Sequence, residues 1–380
     1  MTRAGANGRE RAAYLALLTL AALDAAAYSV IAPVVPAIAD ATGVGPAPIG
    51  ALVASFGIGM AIGFALAGRG VQERGASFVL AVSVAVVAGG SAGFVLGDGF
   101  PLYLASRVVM GVGSGGLWIG VTFAVLDRYP GQEYRRLTRV IAAYSVGSLA
   151  GPAVGAINGI RGPFAAYLGL VGVSGVAAVL LLGPPRERAT FSSDRHALRR
   201  PGFWFASAAI LLVALALGTL EGPLPLHFAE RLDQREIGAM YVAISLAVAV
   251  SAAAAARFAA RPTVAAATAL MVVGLSLAGA THSVPLWGVA VFVAALGFGL
   301  GEAASLGVLL DVVGTERVVL AIVVYSQVWA LGYLAGPAAG GAVAGALGFA
   351  AIGLVPLAGA FLVLAAFLLA GGWERAYARP

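Results

Sequence analysis

Four ionisable side chains stand inside long apolar stretches of this sequence: Asp24, Arg107, Glu221 and Glu302. At the centre of a membrane helix such a group costs about 2.5–3.5 kcal/mol on insertion scales, so each one needs a function or a partner. A carboxyl in that position can take up and release a proton, and an arginine beside it is freed or neutralised as it does so. The chemistry open to the set is proton binding coupled to a change of shape, or attraction of a cationic ligand.

Asp24 lies about 12 residues into the first apolar run, roughly 18 Å deep at 1.5 Å per residue. Arg107 lies about 5 residues below the opposite face in the fourth run, roughly 22 Å from the same side. The two therefore sit at similar depth. Glu302 follows Gly297, Gly299 and Gly301 about two thirds of the way down the tenth run. It is either a second proton or cation site or a protonated side chain bonded to a neighbouring helix. Glu221 precedes Gly222-Pro223-Leu-Pro225, where prolines break the helix, and is expected to be partly wet. His227 and His282 read as surface residues of outer loops.

The elements that must position these groups follow from composition. The 380 residues are 61% hydrophobic and only 11% charged, against about 25% charged in soluble domains. Apolar runs of about 20 residues, the length that crosses a hydrocarbon core, recur from end to end. Spans are expected at 12–39, 47–68, 77–97, 102–126, 138–160, 164–183, 202–225, 237–256, 263–281, 286–310, 318–343 and 349–371. The fold class is therefore an all-α integral membrane protein of twelve helices in two six-helix halves, with no second soluble domain. The first run carries Asp24 in its middle and lacks a cleavage site, so it reads as a span and not as a signal peptide.

Cysteine is absent, which excludes thiol catalysis, disulfides and thiolate metal sites. With no nucleophile and base pair, metal-ligand cluster or phosphate loop in the pattern, an enzyme is not expected, and neither is a cofactor or metal. A sensor would bring a soluble output domain, and none is found. The basic residues are all Arg, and they sit in short loops between apolar runs, which fits membrane orientation and not nucleic acid. Of 23 arginines, Arg107 is within a span. Arg161, Arg231 and Arg235 fall on one side, and the remaining nineteen on the other. By the positive-inside rule both termini are cytoplasmic, in a multi-pass protein of the cell (inner) membrane.

The polar stretch Gly183 to Pro201 divides the chain into residues 1–183, a cytoplasmic linker at 184–201 and residues 202–380. The halves echo one another. Ile49-Gly50-Ala51-Leu52 recurs as Ile237-Gly238-Ala239-Met240, and Gly111-x-Gly113-x-Gly115 as Gly297-x-Gly299-x-Gly301. Asp127 recurs as Asp311, and Gly147-x-x-x-Gly151-Pro152 as Gly332-x-x-x-Gly336-Pro337. Two parallel repeats are one way in which secondary transporters build a central site that opens alternately to each side.

With these motifs the chain resembles the major facilitator superfamily over essentially its whole length. Arg107 followed by Gly111, Gly113 and Gly115 looks like that family's span-four arginine and spaced glycines. Gly147-Ser-Leu-Ala-Gly151-Pro152-Ala-Val-Gly155 is similar to the span-five element of its drug:proton antiporter branch. The loop at Gly68-Arg-Gly-Val-Gln72-Glu73-Arg74-Gly75 departs from the family pattern, since Gln72 stands where Asp is expected and the trailing basic residues are missing.

The resemblance implies that spans one and four line a cavity, where Asp24 and Arg107 can pair, either as a proton-responsive couple or as a static buried pair that only fixes packing; together with Glu302 they are the candidate proton-coupling residues. Tyr28, Trp118, Tyr144, Glu221, Tyr325 and Trp329 are expected at cavity depth, a broad apolar wall with a few polar handles; helix-packing or lipid-facing aromatics are the alternative. Phe123 belongs to the same set. Pro152 and Pro337 bend their helices, and Gly147, Gly151, Gly155 and Gly336 allow close approach, so these positions are candidate hinges. Arg74, Asp127 and Asp311, with Arg257, are candidate inner-gate charges, or plain capping at helix ends. The function so read is proton-coupled efflux, by antiport, of a lipophilic or cationic small molecule. The alternative is proton-coupled transport of a sugar or other polar metabolite. The expected partners are that small-molecule substrate, protons and the lipid bilayer, with no nucleic acid, and the chain is expected to be a monomer.

Overall fold

A computed structural model describes residues 3–129, 131–182, 198–255, 257–313 and 318–377. Most of the linker at 184–201, with Arg186, Arg188 and Arg195, lies outside the described residues, as do Arg317 and Arg379.

No strand occurs among the described residues, as a hydrocarbon core demands: a helix satisfies its own N–H and C=O groups where no water can. The chain is an all-α membrane protein of twelve helices. Eleven are long and apolar enough to cross a bilayer: α1 (Gly8–Thr42), α2 (Pro46–Arg74), α3 (Ala76–Leu96), α4 (Phe100–Arg128), α6 (Arg161–Leu182), α7 (Pro201–Phe228), α8 (Gln234–Ala255), α9 (Ala260–Ala280), α10 (Val284–Val312), α11 (Ala321–Leu347) and α12 (Phe349–Ala370). The twelfth, α5 (Glu133–Gly155), starts five residues before the expected position and ends at Gly155 instead of 160. Its first turns carry Arg135, Arg136 and Arg139, which keep it below the hydropathy of the other spans.

Helix α1 is broken. Regular helix runs to Ser29, a short 3-10 turn covers Ala32–Val34, and helix resumes at Val35–Thr42. Pro33 and Pro36 supply the cause, since neither can donate a main-chain hydrogen bond. Gly43 ends α1 with φ of 67°, the left-handed cap that glycine adopts without strain.

Two compact units result. Unit 1 comprises Met1–Gly43, Ser55–Thr190 and Asp233–Val242; unit 2 comprises Val44–Ala54, Phe191–Leu232 and Ala243–Pro380. In unit 1, α5 lies against α1 and α4 against α3; in unit 2, α11 lies against α7 and α10 against α9. Glycines set these distances. A methyl group on Gly147 would run into the Ala22 carbonyl, one on Gly151 into the Ser29 hydroxyl, and one on Gly155 into the Val30 carbonyl. In unit 2 a methyl on Gly336 would meet the Leu215 carbonyl, and one on Gly332 the Leu211 carbonyl. Apolar chains gain little by leaving lipid for protein, so close backbone contact of this kind holds such helices together.

Candidate functional site

In unit 1 the break in α1 sits one turn beyond Asp24, and it leaves the last carbonyls of that helical segment without the N–H donors of a following turn. Arg107 on α4 supplies donors. Its Nη1 donates to the Ala27 carbonyl at 2.8 Å and its Nη2 to the Tyr28 carbonyl at 2.7 Å. The guanidinium also lies over the Phe56 ring, 4.1 Å from its centroid, a favourable cation–π placement. Arg107 is wholly buried and Asp24 is 1% exposed.

Asp24 takes its hydrogen bond from elsewhere. The Ser114 hydroxyl, two turns along α4 from Arg107, donates to Oδ1. Oδ2 is buried with no hydrogen-bond partner among the described residues. The Tyr167 hydroxyl of α6 donates to the Leu23 carbonyl at 2.8 Å and closes this side of the site. Beside it the expected aromatics gather: Tyr28 stacks on Tyr144 at 5.9 Å, and Tyr144 meets Trp118 edge-on at 5.6 Å. Tyr28 stands one turn from Asp24 and Trp118 one turn from Ser114, so rings from α1, α4 and α5 gather within a turn of a carboxyl that has one oxygen bonded and the other without a hydrogen-bond partner among the described residues.

Unit 2 holds a second polar and aromatic group. Glu221, expected to be partly wet, is 3% exposed. The reason is that α7 does not end at the prolines but continues past Glu221 as the short helical turn Leu224–Phe228, itself largely buried, and the Tyr333 hydroxyl of α11 donates to its Oε2. Trp329 stacks on Tyr333 at 5.1 Å. Glu302 is half-buried on α10. One turn on, the Ser305 hydroxyl bonds the Glu302 carbonyl at 2.9 Å and the Tyr325 hydroxyl at 2.7 Å, tying α10 to α11.

A model of the Major Facilitator Superfamily matches residues 17–261. The chain belongs to the major facilitator superfamily. Among relatives, the synaptic vesicular amine transporter of Mus musculus is 24% identical over 276 residues, covering 67% of this chain and 53% of that protein. The quinolone resistance protein NorA of Staphylococcus aureus (strain MRSA252) is 25% identical over 197 residues, 50% of each chain. The chain spans about half the length of the curated relatives it matches. A bacterial homologue of the human lysosomal transporter Spinster, crystallised inward-facing and unoccupied, has a TM-score of 0.73 at 15% identity, covering 94% of this chain and 95% of that one. A D-xylose-proton symporter gives 0.69 at 16% identity, covering 94% and 96%. These two likenesses establish the fold. The superfamily and these neighbours are transporters, not enzymes.

For a superfamily member, the candidate gate charges sit at the ends of their helices. Arg74 closes α2 and lies over the Phe78 ring at 4.9 Å, while Gly75, with φ of 85°, turns the chain into α3. Among the described residues no ion pair joins Arg74 to Asp127 or Arg257 to Asp311; Asp127 is half-buried and Asp311 exposed. Pro152 and Pro337 lie inside α5 and α11, and each helix continues past its proline.

Ser114 and Tyr333 were not singled out from sequence. Ser114 is flanked by Gly113 and Gly115 and reads as part of a packing stripe; Tyr333 follows Gly332 in another. The signal available was position: each stands a whole number of turns from a residue already marked, Ser114 from Arg107 and Tyr333 from Trp329. His227 corrects the sequence reading outright. It is wholly buried, because Trp287, Phe228 and Phe349 pack around its ring, while His282 is exposed as expected.

Proposed function

We propose that this chain is a proton-coupled antiporter that exports a lipophilic or cationic small molecule across the plasma membrane by alternating access, acting as a monomer with both termini in the cytoplasm. The observation that carries the reading is Asp24: a buried carboxyl, one oxygen bonded by Ser114 and the other without a partner among the described residues, beside the Tyr28, Tyr144 and Trp118 rings. Protonation would occupy the vacant oxygen, and deprotonation would leave an anion that a cationic substrate can meet. The aromatic wall suits a flat apolar or positively charged molecule, by burial and cation–π attraction, better than it suits a sugar, whose hydroxyls need many polar partners.

Unit 2 adds two further acids, Glu302 and Glu221, for a substrate cation or a second proton. The halves 1–183 and 202–380, joined by the linker 184–201, are the bodies whose alternation would expose the site to either face. The names of the amine transporter and of NorA agree with a cationic or drug-like substrate.

The test is transport by purified protein in liposomes. With an imposed pH gradient, lipophilic cations should exchange for protons, and collapse of the gradient should stop net accumulation. Accumulation of sugars in place of cations, or accumulation indifferent to the gradient, overturns the reading.

A further inference from the structure

His227, Glu230 and His282 converge where α7 and α9 end. His227 belongs to the last turn of α7, Glu230 follows three residues later, and His282 lies between α9 and α10. Glu230 Oε1 is 2.9 Å from His227 Nδ1, and Oε2 is 2.9 Å from His282 Nδ1. One ligand atom from each of the three side chains lies within 4.8 Å of the others.

The far side of the His227 ring determines what its near side offers. Nε2 is 2.8 Å from the Thr281 carbonyl, which can only accept, so Nε2 carries the hydrogen. The Trp287 indole donates to that same carbonyl at 2.6 Å and holds it in place. In the neutral ring the lone pair is then on Nδ1, aimed at a carboxylate oxygen 2.9 Å away. Two lone pairs at that distance need a positive centre between them. A ring nitrogen bonded outward to a carbonyl, with its other nitrogen turned inward, is the usual second-sphere arrangement of a metal-bound histidine.

We infer that His227, Glu230 and His282 form a binding site for a divalent transition-metal ion of the zinc class. The donor set is two imidazoles and a carboxylate, which favours zinc-like ions over magnesium or calcium, whose ligands are oxygens. His227 is rigid, wholly buried and wedged against Trp287 at 5.1 Å and Phe349 at 4.8 Å. His282 and Glu230 have side chains 64% and 42% exposed, so they are free to close in by the fraction of an ångström that zinc-ligand distances of about 2.0–2.2 Å require. Three protein ligands leave a position for water, so the ion would exchange with the medium. Bound there, it would tie the α7–α8 connection to the α9–α10 connection.

The experiment uses the full chain purified without a polyhistidine tag and titrated with Zn2+ by calorimetry. Mg2+ serves as the control, and the remaining histidine, His196, is unchanged throughout. The expected result is one Zn2+ per chain, no saturable heat with Mg2+, and affinity at least tenfold weaker in both His282→Ala and Glu230→Gln. Both variants alter exposed side chains, and without metal they should melt with the wild type; added Zn2+ should raise the melting temperature of the wild type alone. The inference is overturned if the wild type shows no stoichiometric Zn2+ binding, which would leave a proton in the gap, or if either variant binds as tightly as the wild type.

Discussion

Arg107 directs its guanidinium to the main chain of α1, at the Ala27 and Tyr28 carbonyls, and not to the carboxylate of Asp24 one turn away. Two separate tasks are thereby divided between two residues of α4. Arg107 caps a helix that the prolines interrupt inside the membrane, where an unsatisfied carbonyl costs several kcal/mol. Ser114 holds the acid. The charge of Asp24 can then change without breaking the bonds that keep α1 in place.

Capping predicts that Arg107→Ala is destabilising. Two buried charge-assisted hydrogen bonds are lost, each worth about 1.5–3 kcal/mol. Thermal unfolding in detergent should show a fall of about 2–6 kcal/mol in stability, since two buried carbonyls are left without a donor at about 1–3 kcal/mol each. Arg107→Lys keeps the charge without the two-pronged fork and should recover only part of the loss. An alanine variant as stable as the wild type would remove the cap from this account.

Asp24→Asn preserves size and can still accept from Ser114, so the variant should fold normally and bind substrate. Accumulation driven by a pH gradient should drop to the level of empty liposomes, since the amide takes up no proton. Fluorescence-detected gel filtration checks the fold, and the flux assay checks the coupling. Normal gradient-driven transport in this variant would rule Asp24 out as the proton carrier.

Ser114→Ala leaves a buried carboxyl oxygen without its donor. That omission costs about 1–3 kcal/mol, and Ser114→Thr, which keeps the hydroxyl, should restore most of it. The measurement is again the unfolding midpoint, and equal midpoints for the alanine and threonine variants would contradict the assigned bond.

How far the sequence announced this arrangement depends on the kind of information each part needs. The helices were legible because a bilayer demands long apolar runs, and the break at Pro223 because proline lacks an N–H. Tyr28, Trp118 and Tyr144 were expected at a common depth as members of a larger aromatic set, and within unit 1 these three rings meet. What stayed hidden was which polar group meets which. Ser114 and Arg107 are both on α4, and only the placement of the broken end of α1 decides that the serine takes the acid and the arginine the carbonyls. His227 was misjudged for a related reason: hydropathy places it beyond a span, and cannot foresee that Trp287 and Phe349, 60 and 122 residues away in the chain, fold over it.

The repeated motif Ile49-Gly50 and Ile237-Gly238 marks two very close contacts. A methyl on Gly50 would strike the Pro337 carbonyl, and one on Gly238 would press against Ala156 and the Pro152 carbonyl. Each glycine therefore abuts a helix at its internal proline. Gly50→Ala should cost about 1–3 kcal/mol, as overpacking of a tight contact does. Gly68, lower on the same helix, has open space around it, so Gly68→Ala should leave the unfolding midpoint unchanged. Comparable behaviour of the two variants would mean that the glycine does not set the spacing between these helices.

Glu221 tests whether unit 2 carries an acid that transport needs or one that only braces α7. Its carboxyl is buried and accepts from the Tyr333 hydroxyl, and Tyr333 in turn stacks on Trp329. Tyr333→Phe keeps the ring and its stacking but removes the donor, which should lower stability by about 1–3 kcal/mol. Glu221→Gln keeps an acceptor for Tyr333 and should remain stable. If Glu221 serves the substrate, Glu221→Gln will weaken transport of cations while sparing folding. If the acid is a brace, only Tyr333→Phe will show a defect, and it will be a defect of stability. Running both variants through unfolding and through flux of a lipophilic cation separates the two roles.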